Sequence, residues 1–519
     1  MNHHIKNKLS HVLNETLAAP PPDKRFAAPE WQQWPFNLIY KSFLHNQQWM
    51  HTVAMNLPGV SAHGQQLARF AGDQALDMFS PSNFFLTNPV VLAETMKSGG
   101  LNLVHGAQNQ SRDALRLAGV KQPPATSGDT GNFRPGKEVA ITPGQVVFRN
   151  HLIELIQYSP QTPTVFAEPV LIVPSWIMKY YILDLSPGNS LVRYLVDKGH
   201  TVFIVSWKNP NASDHNLGMD DYLKAGAMAA VDAVNAIVPN QRIQALGYCL
   251  GGTLLAIAAA AMARSDDSRV ASLTLLASET DFKEPGELSL FIDKPQLAQL
   301  DALMAQKGYL DGKQMAASFT LLNSRDLVWA RMVNRYLLGH NEPPSDMAAW
   351  NADATRMPYR QHSEYLHQLY LDNDLAEGRY QVDDEPIELP DIRIPAFVLG
   401  TLRDTVSPWR SVYKIIPLVS GDVTFCLTSG GHNVGVINPP GSNARSSYQI
   451  ATRPAGAESV DSDAWLETAP SHDGSWWPAL ADWLQQHASQ RVTAPPSLGN
   501  EALGWPALEA APGSYVHIA

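Results

Sequence analysis

Hydrophobic and polar positions follow two different patterns along the chain, and the change falls at about residue 140. Before it, from about residue 25 to 118, apolar and aromatic positions recur three and four apart between Asn-Pro and Ser-Pro breaks. This spacing predicts a mostly helical region. After it, short β-rich runs alternate with amphipathic stretches such as 190–198 and 254–264, which predicts βαβ units around a parallel sheet. The β-rich runs are residues 169–173, 201–206, 243–248, 273–277, 396–400 and 423–428.

Two stretches interrupt these patterns and set the expected domain boundaries. Residues 121–137 are rich in Gly, Pro, Ser and Thr, as is typical of a linker, and residues from about 280 to 389 carry helical patterns without a convincing central strand. Such an insertion is typical of a cap or lid over the strand ends. We therefore expect a flexible arm over 1–25, a mostly helical domain with its linker over 26–138, and an α/β domain over 139–519 that contains the cap.

Composition and charge exclude several classes of function. The chain has 519 residues, of which 45% are hydrophobic and 17% charged, so it can bury a large core and is not disordered throughout. Its net charge of −11 argues against a protein held to nucleic acid by a general basic field. An acidic substrate would therefore need a local basic pocket.

Cysteine count and apolar run lengths bear on the compartment. Two cysteines exclude a disulfide-rich scaffold and are too few for a Cys-based zinc site, so we expect no metal centre. The longest apolar run, residues 254–263, is ten residues long, whereas a membrane span needs roughly 20. The first residues contain no apolar core of signal-peptide length. We therefore expect a cytoplasmic protein that does not cross a membrane.

One motif carries nucleophilic chemistry. Gly247-Tyr-Cys-Leu-Gly-Gly252 follows a β-rich run and precedes a helical one, so it matches the G-x-S-x-G nucleophile elbow with cysteine in place of serine. The turn must be sharp, and glycines are needed beside it because a Cβ there would collide with the neighbouring strand or helix. The helix N-terminus behind Cys249 favours a thiolate. The motif predicts an α/β-hydrolase fold with Cys249 as its nucleophile.

The two cysteines are expected to differ in role. The alternative for Cys249 is an inert buried thiol beside helix-packing glycines, but chance rarely produces this pattern in a chain with two cysteines. Cys426 lies inside the apolar run 423–427 and has no glycine turn beside it. We therefore interpret Cys426 as a packed core thiol.

The base and the acid of a triad follow the nucleophile in this fold. Asp404 follows the next-to-last β-rich run and precedes a Pro-started helix, and His432 lies in a Gly-Gly loop directly after the last run. One histidine among 17 would mean little, and Asp404 alone could be a helix cap. Their positions together predict a triad of Cys249, Asp404 and His432.

Backbone N–H groups are expected to stabilise the oxyanion. The first candidate is Leu250, which opens the helix after the nucleophile. The second donor of this fold comes from the loop after the first strand of the domain, where we select Ile177 within 175–177. Asp184 in the same region is interpreted as a turn or capping residue.

The choice of cysteine points to acyl transfer. A cysteine nucleophile forms a thioester, which is close in energy to acyl-CoA, so loading from a CoA thioester would be nearly isoenergetic. Passing the acyl group on to an alcohol would then run downhill. An ordinary esterase has no need of this arrangement and usually uses serine, so pure hydrolysis comes second.

Longer motifs extend along most of the chain, at residues 169–174, 179–193, 199–210, 247–252, 350–355, the loop of Asp404, 431–440 and 474–478. They resemble the polyhydroxyalkanoate synthases, most of all the single-subunit type with an N-terminal helical domain, and the similarity runs from about residue 24 to 515. The resemblance implies polymerisation of (R)-3-hydroxyacyl-CoA into a polyester with release of coenzyme A, and a catalytic set carried onto Cys249, Asp404 and His432. It implies no separate cofactor, since coenzyme A is the leaving group, and a homodimer at the surface of polymer granules.

The sequence departs from the family pattern at Ser175-Trp176 and at Asn433-Val434, near the oxyanion loop and the catalytic histidine. Two other functions remain open. One is a depolymerase or thioesterase on the same fold, and the other is a catalytically dead, granule-associated binding protein, against which the complete triad argues. Acyl chain-length preference and the residues that contact coenzyme A are not indicated by any motif.

Overall fold

Eleven strands form one sheet in the computed structural model, which describes residues 23–118, 133–341 and 343–519. The strand order across the sheet is β10-β9-β8-β7-β6-β5-β3-β4-β2-β1-β11. In chain order the strands are β1 Gly144–Arg149, β2 Ile153–Tyr158, β3 Val170–Val173, β4 Val202–Trp207, β5 Ile243–Tyr248, β6 Val270–Leu276, β7 Ala396–Thr401, β8 Val423–Thr428, β9 Ser447–Arg453, β10 Ser471–Asp473 and β11 Glu509–Ala510.

The centre of the sheet is parallel, as the sequence predicts. Strands β3 to β8 pair in parallel with one another, while β1, β2, β9, β10 and β11 add antiparallel pairs at the two edges. The six parallel strands coincide within a few residues with the six β-rich runs, which are almost wholly buried. A strand buried on both faces requires a continuous apolar run, and that is the feature by which these strands were predicted.

The chain divides into two compact units. The sheet unit comprises Asn132–Met315 and Ser345–Ala519, and the helical unit comprises Met1–Gly131 and Ala316–Pro344. In the sheet unit, helices follow the strands and cover the sheet, as in βαβ units. Its described helices of five residues or more are Leu191–Asp197, Tyr222–Met228, Ala229–Ile237, Leu250–Arg264, Lys294–Lys307, Asp346–Ala352, Tyr359–Glu364, Tyr365–Leu371, Trp409–Tyr413, His432–Val436, Ser462–Thr468 and Trp477–Gln486, besides the 3-10 helix Gly286–Phe291.

The helical unit confirms the expected helical region before the hydrolase domain. Its helices up to residue 118 are α1 Phe36–Met55, α2 Ala62–Met78, α3 Pro89–Lys97 and α4 Leu101–Leu117. The expected flexible arm over residues 1–25 lies almost wholly outside the described residues, as does most of the linker at 121–137. Of the arm, residues 23–25 are described, and the guanidinium of Arg25 lies 2.7 Å from the carboxylate of Asp77.

Part of the insertion expected at about 280–389 belongs to the helical unit. Residues 316–344 continue Gly312–Leu322 through the helical turns Arg325–Ala330 and Val333–Leu337. Arg335 lies 2.6 Å from Asp113 of α4. Tyr336 packs so closely on α4 that a Cβ on Gly106 would lie 1.9 Å from the Tyr336 carbonyl oxygen. The amphipathic pattern predicts helices here but does not say which surface they pack against, so the sequence assigned the whole stretch to one cap.

The remainder of the insertion stays with the sheet unit. Two-residue strands occur in it, but none of the strands described between residues 277 and 395 joins the large sheet. Within the described ranges of the chain, no helix combines the length and the apolar character that crossing a membrane requires.

Candidate active site

Cys249 sits at the sharp turn between β5 and the helix Leu250–Arg264. Its backbone is strained, with φ of 52° and ψ of −127°, a region that residues with a side chain rarely occupy. The turn is held by its own N–H, which donates to the Leu276 carbonyl at 2.9 Å, and by its carbonyl, which accepts the Gly252 N–H at 2.9 Å. The side chain is thereby presented at the carboxyl end of the sheet, where ligands bind in such folds.

Three glycines make this turn possible, for the reason that the motif predicts. A Cβ on Gly247 would lie 2.2 Å from the Gly252 Cα, and one on Gly251 would lie 2.1 Å from the Val173 carbonyl oxygen. A Cβ on Gly252 would lie 2.0 Å from the Ser278 hydroxyl. The first turn of the helix is therefore packed directly against β3 and against the segment that follows β6.

The two expected oxyanion donors follow β5 and β3, which are neighbouring strands of the sheet. Leu250 is the first residue of the helix, where a backbone N–H precedes the intrahelical ladder. Ile177 follows β3, and its N–H donates a long hydrogen bond of 3.5 Å to the hydroxyl of Ser175. That bond is weak enough to be exchanged for one to a developing negative charge.

Asp404 and His432 are joined at the carboxyl ends of β7 and β8. His432 Nδ1 lies 2.8 Å from Asp404 Oδ2, which also accepts the Thr401 hydroxyl at 2.8 Å. Asp404 Oδ1 accepts the backbone N–H groups of Val406 and Ser407, both at 2.9 Å. Four donors therefore fix the carboxylate behind the imidazole, and the carboxylate fixes the ring orientation.

The charges of these groups support one another. Burial by itself would raise the pKa of Asp404, but the charge of His432 and the hydrogen bonds to the carboxylate hold it below its usual range. Burial by itself would lower the pKa of His432, but the negative charges of Asp404 and Cys249, and hydrogen bonds to both, raise it well above its usual range. The arrangement favours a protonated imidazole beside an ionised Asp404 carboxylate.

The three side chains singled out by the sequence thus form one cluster. Comparisons with known proteins identify the family of the chain. The family model described as alpha/beta hydrolase fold matches residues 168–434, and the one described as "Poly-beta-hydroxybutyrate polymerase (PhaC) N-terminus" matches residues 22–195. A poly(3-hydroxyalkanoate) polymerase of Methylorubrum extorquens is 39% identical over 513 residues, which are 98% of this chain and 83% of the relative. The chain belongs to the poly(3-hydroxyalkanoate) polymerase family. It is therefore an enzyme of the transferase class on an α/β-hydrolase fold, as the sequence predicts.

Further relatives give the same family. The poly(3-hydroxyalkanoate) polymerase subunit PhaC of Cupriavidus necator is 37% identical over 501 residues, covering 95% of this chain and 83% of the relative. Among solved structures, a monoacylglycerol lipase of Paleococcus ferrophilus is 12% identical and covers 65% of this chain and 99% of its own, with a TM-score of 0.36.

Tyr248 is a site residue of this family member that sequence reasoning did not single out. Its hydroxyl donates to the side-chain oxygen of Asn433 at 2.6 Å, and its ring centroid lies 5.6 Å from that of His432. It therefore braces the loop that carries the histidine. The signal was available, because Tyr248 lies inside the elbow motif and Asn433 directly follows His432.

Glu279 and two tyrosines were also missed. Glu279 is 3% exposed and interacts electrostatically with Cys249 and Asp404. Tyr365 is buried and Tyr370 is partly buried, both interact electrostatically with Glu279 and Cys249, and their ring centroids lie 5.2 Å apart. A polar residue just after a strand usually lies at the surface, so nothing in the pattern indicated that this one is buried at the nucleophile.

The two residues interpreted as structural lie outside the cluster. Cys426 is 0% exposed within β8, and burial raises the pKa of its thiol well above the usual range. Asp184 ends a 3-10 helix, and its carboxylate accepts the hydroxyls of Thr142, Ser190 and Tyr158 at 2.5, 2.7 and 3.2 Å.

Proposed function

We propose that this chain polymerises (R)-3-hydroxyacyl-CoA into a polyester and releases coenzyme A through an acyl-cysteine intermediate. The observation that carries the proposal is the elbow cysteine in contact with a His432–Asp404 pair. Family membership supplies the substrate class, because the relatives are poly(3-hydroxyalkanoate) polymerases. The reaction uses these side chains alone, with no separate cofactor and with coenzyme A as the leaving group.

The first step loads the enzyme. The Cys249 thiolate attacks the carbonyl carbon of the substrate thioester, and the N–H groups of Leu250 and Ile177 stabilise the oxyanion that forms. When the intermediate collapses, the bond to the sulfur of coenzyme A breaks, and His432 gives its proton to that sulfur. The acyl group is left on Cys249 as a thioester, at nearly no cost in free energy.

The second step extends the polymer. The 3-hydroxyl group of another hydroxyacyl-CoA attacks the acyl-Cys249 carbonyl, its proton passes to His432, and the Cys249 thiolate leaves. Asp404 holds the protonated imidazole in place during this transfer. The lengthened acyl-CoA then acylates Cys249 as in the first step, with release of its coenzyme A. An ester replaces a thioester, so the step runs downhill, which supports cysteine as the nucleophile of a polymerase.

Water competes with the hydroxyl and would end chains. Cys249 is only 7% exposed, and the buried Tyr365 and partly buried Tyr370 of the insertion interact electrostatically with it. This burial supports a water-poor site. We further propose that the enzyme works in the cytoplasm as a homodimer, at the surface of polymer granules. The granule surface follows from the product, because an insoluble chain held on Cys249 keeps the enzyme at the surface of that product.

Incubation of the purified chain with 3-hydroxybutyryl-CoA tests the proposal. A polymerase releases coenzyme A while turbidity rises in proportion, because the product is insoluble. Release of coenzyme A with soluble hydroxy acid and no turbidity would instead make it a thioesterase. No release at all would make it a binding protein.

A further inference from the structure

The backbone of Glu279 is hydrogen-bonded to the helix that follows Cys249. Glu279 follows β6, the neighbour of the nucleophile strand β5, and its carbonyl accepts the Thr253 hydroxyl of the nucleophile helix at 2.7 Å. The preceding residue, Ser278, fills the space left by Gly252. Glu279 is thus anchored to the first turn of the helix that carries Cys249, so its position relative to the nucleophile is fixed.

The carboxyl group of Glu279 is buried without a full set of partners. The residue is 3% exposed, and within the described part of the chain its Oε1 has no hydrogen-bond partner. Leaving a buried polar atom unsatisfied is costly, and such atoms in folded proteins call for an explanation. An absent ligand with a hydroxyl group is one, because a hydroxyl can both donate and accept.

The surroundings of Glu279 belong to the acyl site. Its electrostatic interactions reach Asp404, Cys249, His432 and Lys414, and the buried hydroxyls of Tyr365 and Tyr370 interact with both Glu279 and Cys249. The indole ring of Trp176 packs on Tyr365 nearly at a right angle, with the two ring centroids 6.1 Å apart.

The indole of that ring offers a second orphaned atom. Trp176 is 2% exposed, and its Nε1 has no hydrogen-bond partner among the residues described. Glu279 Oε1 and Trp176 Nε1 are therefore two unsatisfied polar atoms near the tyrosine pair. A purely alkyl ligand bound there would satisfy neither of them.

The protonation of Glu279 suits hydrogen bonding to a hydroxyl. Burial, and then the negative charges of Asp404 and Cys249, raise the pKa of Glu279 well above its usual range. Of the opposing cations, Lys414 is engaged with Glu284 at 2.9 Å, and His432 with Asp404. A carboxyl group that keeps its proton has one O–H donor and free acceptor capacity, which is what binding to a hydroxyl requires.

We propose that Glu279 binds the 3-hydroxyl group of the hydroxyacyl unit held at Cys249, and so makes the site selective for hydroxylated acyl groups. The inference rests on the proposed function, because it concerns the acyl group that Cys249 accepts. A site that hydrogen-bonds a substrate hydroxyl rejects the analogue that lacks it, since its own buried polar group is then left unpaired. A pocket meant only for an alkyl chain gains nothing from a carboxyl group.

Two thioesters that differ in this hydroxyl test the proposal. With enzyme in excess, the rate of a single turnover of coenzyme A release is measured for 3-hydroxybutyryl-CoA and for butyryl-CoA, and the ratio of the two rates is the readout. Wild type prefers the hydroxylated substrate. Glu279→Met, which has an apolar side chain of similar length, lowers the ratio about tenfold, and Glu279→Ala lowers it similarly, which keeps the test valid if one variant fails to fold.

The conservative variant and a matched control complete the design. Glu279→Gln retains most of the ratio, because an amide also donates and accepts. Ser272→Ala is the matched control, because the Ser272 hydroxyl is also buried on β6 and has no hydrogen-bond partner among the described residues. Ser272 lies opposite Gln244, toward the other end of the strand, so this variant leaves the ratio unchanged.

The outcomes separate the two proposals. If wild type releases coenzyme A but Glu279→Met and Glu279→Ala keep its ratio, the role of Glu279 is refuted while the proposed function stands. If a variant loses rate equally with both substrates, the ratio stays intact and the role of Glu279 is again refuted. The same holds if Glu279→Gln lowers the ratio as much as Glu279→Met does. If wild type acts on neither thioester, the proposed function itself fails.

Discussion

Replacing Asp404 by Asn removes the charge behind His432 and keeps the shape of the side chain. The carboxylate oxygen that faces Val406 and Ser407 accepts two backbone N–H groups at 2.9 Å, so the amide oxygen of Asn must take that place. The amide nitrogen then faces His432 Nδ1, at the present 2.8 Å. A donor at that position holds the imidazole with its proton on Nε2, so the ring can no longer accept a proton from the reacting group.

The two steps of the proposed reaction should suffer differently. A cysteine without help is a few per cent thiolate near neutral pH, so acylation falls by at most about 30-fold even if the ion pair is lost altogether. The 3-hydroxyl group of the incoming unit is scarcely ionised and depends on an oriented base. In a serine triad, where the nucleophile is likewise a hydroxyl, the same exchange costs about 10⁴ in rate, or about 5.5 kcal/mol, and we expect elongation to fall by a similar factor.

Single-turnover release of coenzyme A, followed together with polymer yield, measures both steps in Asp404→Asn. Asp184→Asn is the matched control, because Asp184 is as deeply buried and accepts three hydroxyls away from the site. It should leave the ratio of acylation to elongation unchanged. If Asp404→Asn lost both steps in equal proportion, Asp404 would have no separate role in elongation. If it lost neither, the acid of the triad would lie elsewhere in the chain.

Three further predictions concern stability and the second thiol. Cys426→Ala should keep coenzyme A release and lower the free energy of unfolding by about 1 kcal/mol; loss of activity would reverse the roles of the two thiols. Gly106→Ala should destabilise the helical unit by about 1–3 kcal/mol in denaturant titration, despite the better helix propensity of Ala, because its Cβ would lie 1.9 Å from the Tyr336 carbonyl oxygen; unchanged stability would contradict that packing. The lowered pKa of Asp404 stabilises the fold above about pH 3.8, its ordinary pKa. The raised pKa of His432 stabilises the fold fully below about pH 6.5, and this stabilisation is lost as the pH rises through the raised pKa of His432. Chemical denaturation should therefore find the largest difference between wild type and His432→Gln between about pH 4 and 6.5, and a difference that grows toward pH 9 would refute the ion pair.

The parallel half of the sheet was predictable because burial on both faces demands apolar runs. The antiparallel edges were not. β2 contains Glu154 and Gln157, both fully buried, so its pattern does not read as a core strand. Glu154 is satisfied by Arg149 at 2.6 Å and by the backbone N–H of Tyr515 at 3.0 Å, a partner more than 350 residues away along the chain. Partners so distant leave no local signal.

The candidate site divides along the same line. The cluster of Cys249, Asp404 and His432 was predictable because each residue lies at a strand end with its own turn chemistry, and strand order brings the three ends together. Glu279 also follows a strand, but its importance comes from burial and from the tyrosines that the insertion places beside it. Those contacts, like the packing of residues 316–344 in the helical unit, depend on tertiary structure that no local pattern encodes.

Acylation of Cys249 is the central claim, and mass spectrometry of the digested protein tests it most directly. Wild type, Cys249→Ala and Cys426→Ala are each mixed with one equivalent of 3-hydroxybutyryl-CoA, quenched in acid and digested for peptide mapping. The proposed mechanism predicts hydroxybutyryl groups on the peptide that contains Cys249 in wild type and in Cys426→Ala, and neither modification nor coenzyme A release in Cys249→Ala. Near-normal coenzyme A release by Cys249→Ala, or acylation at Cys426 instead, would contradict it.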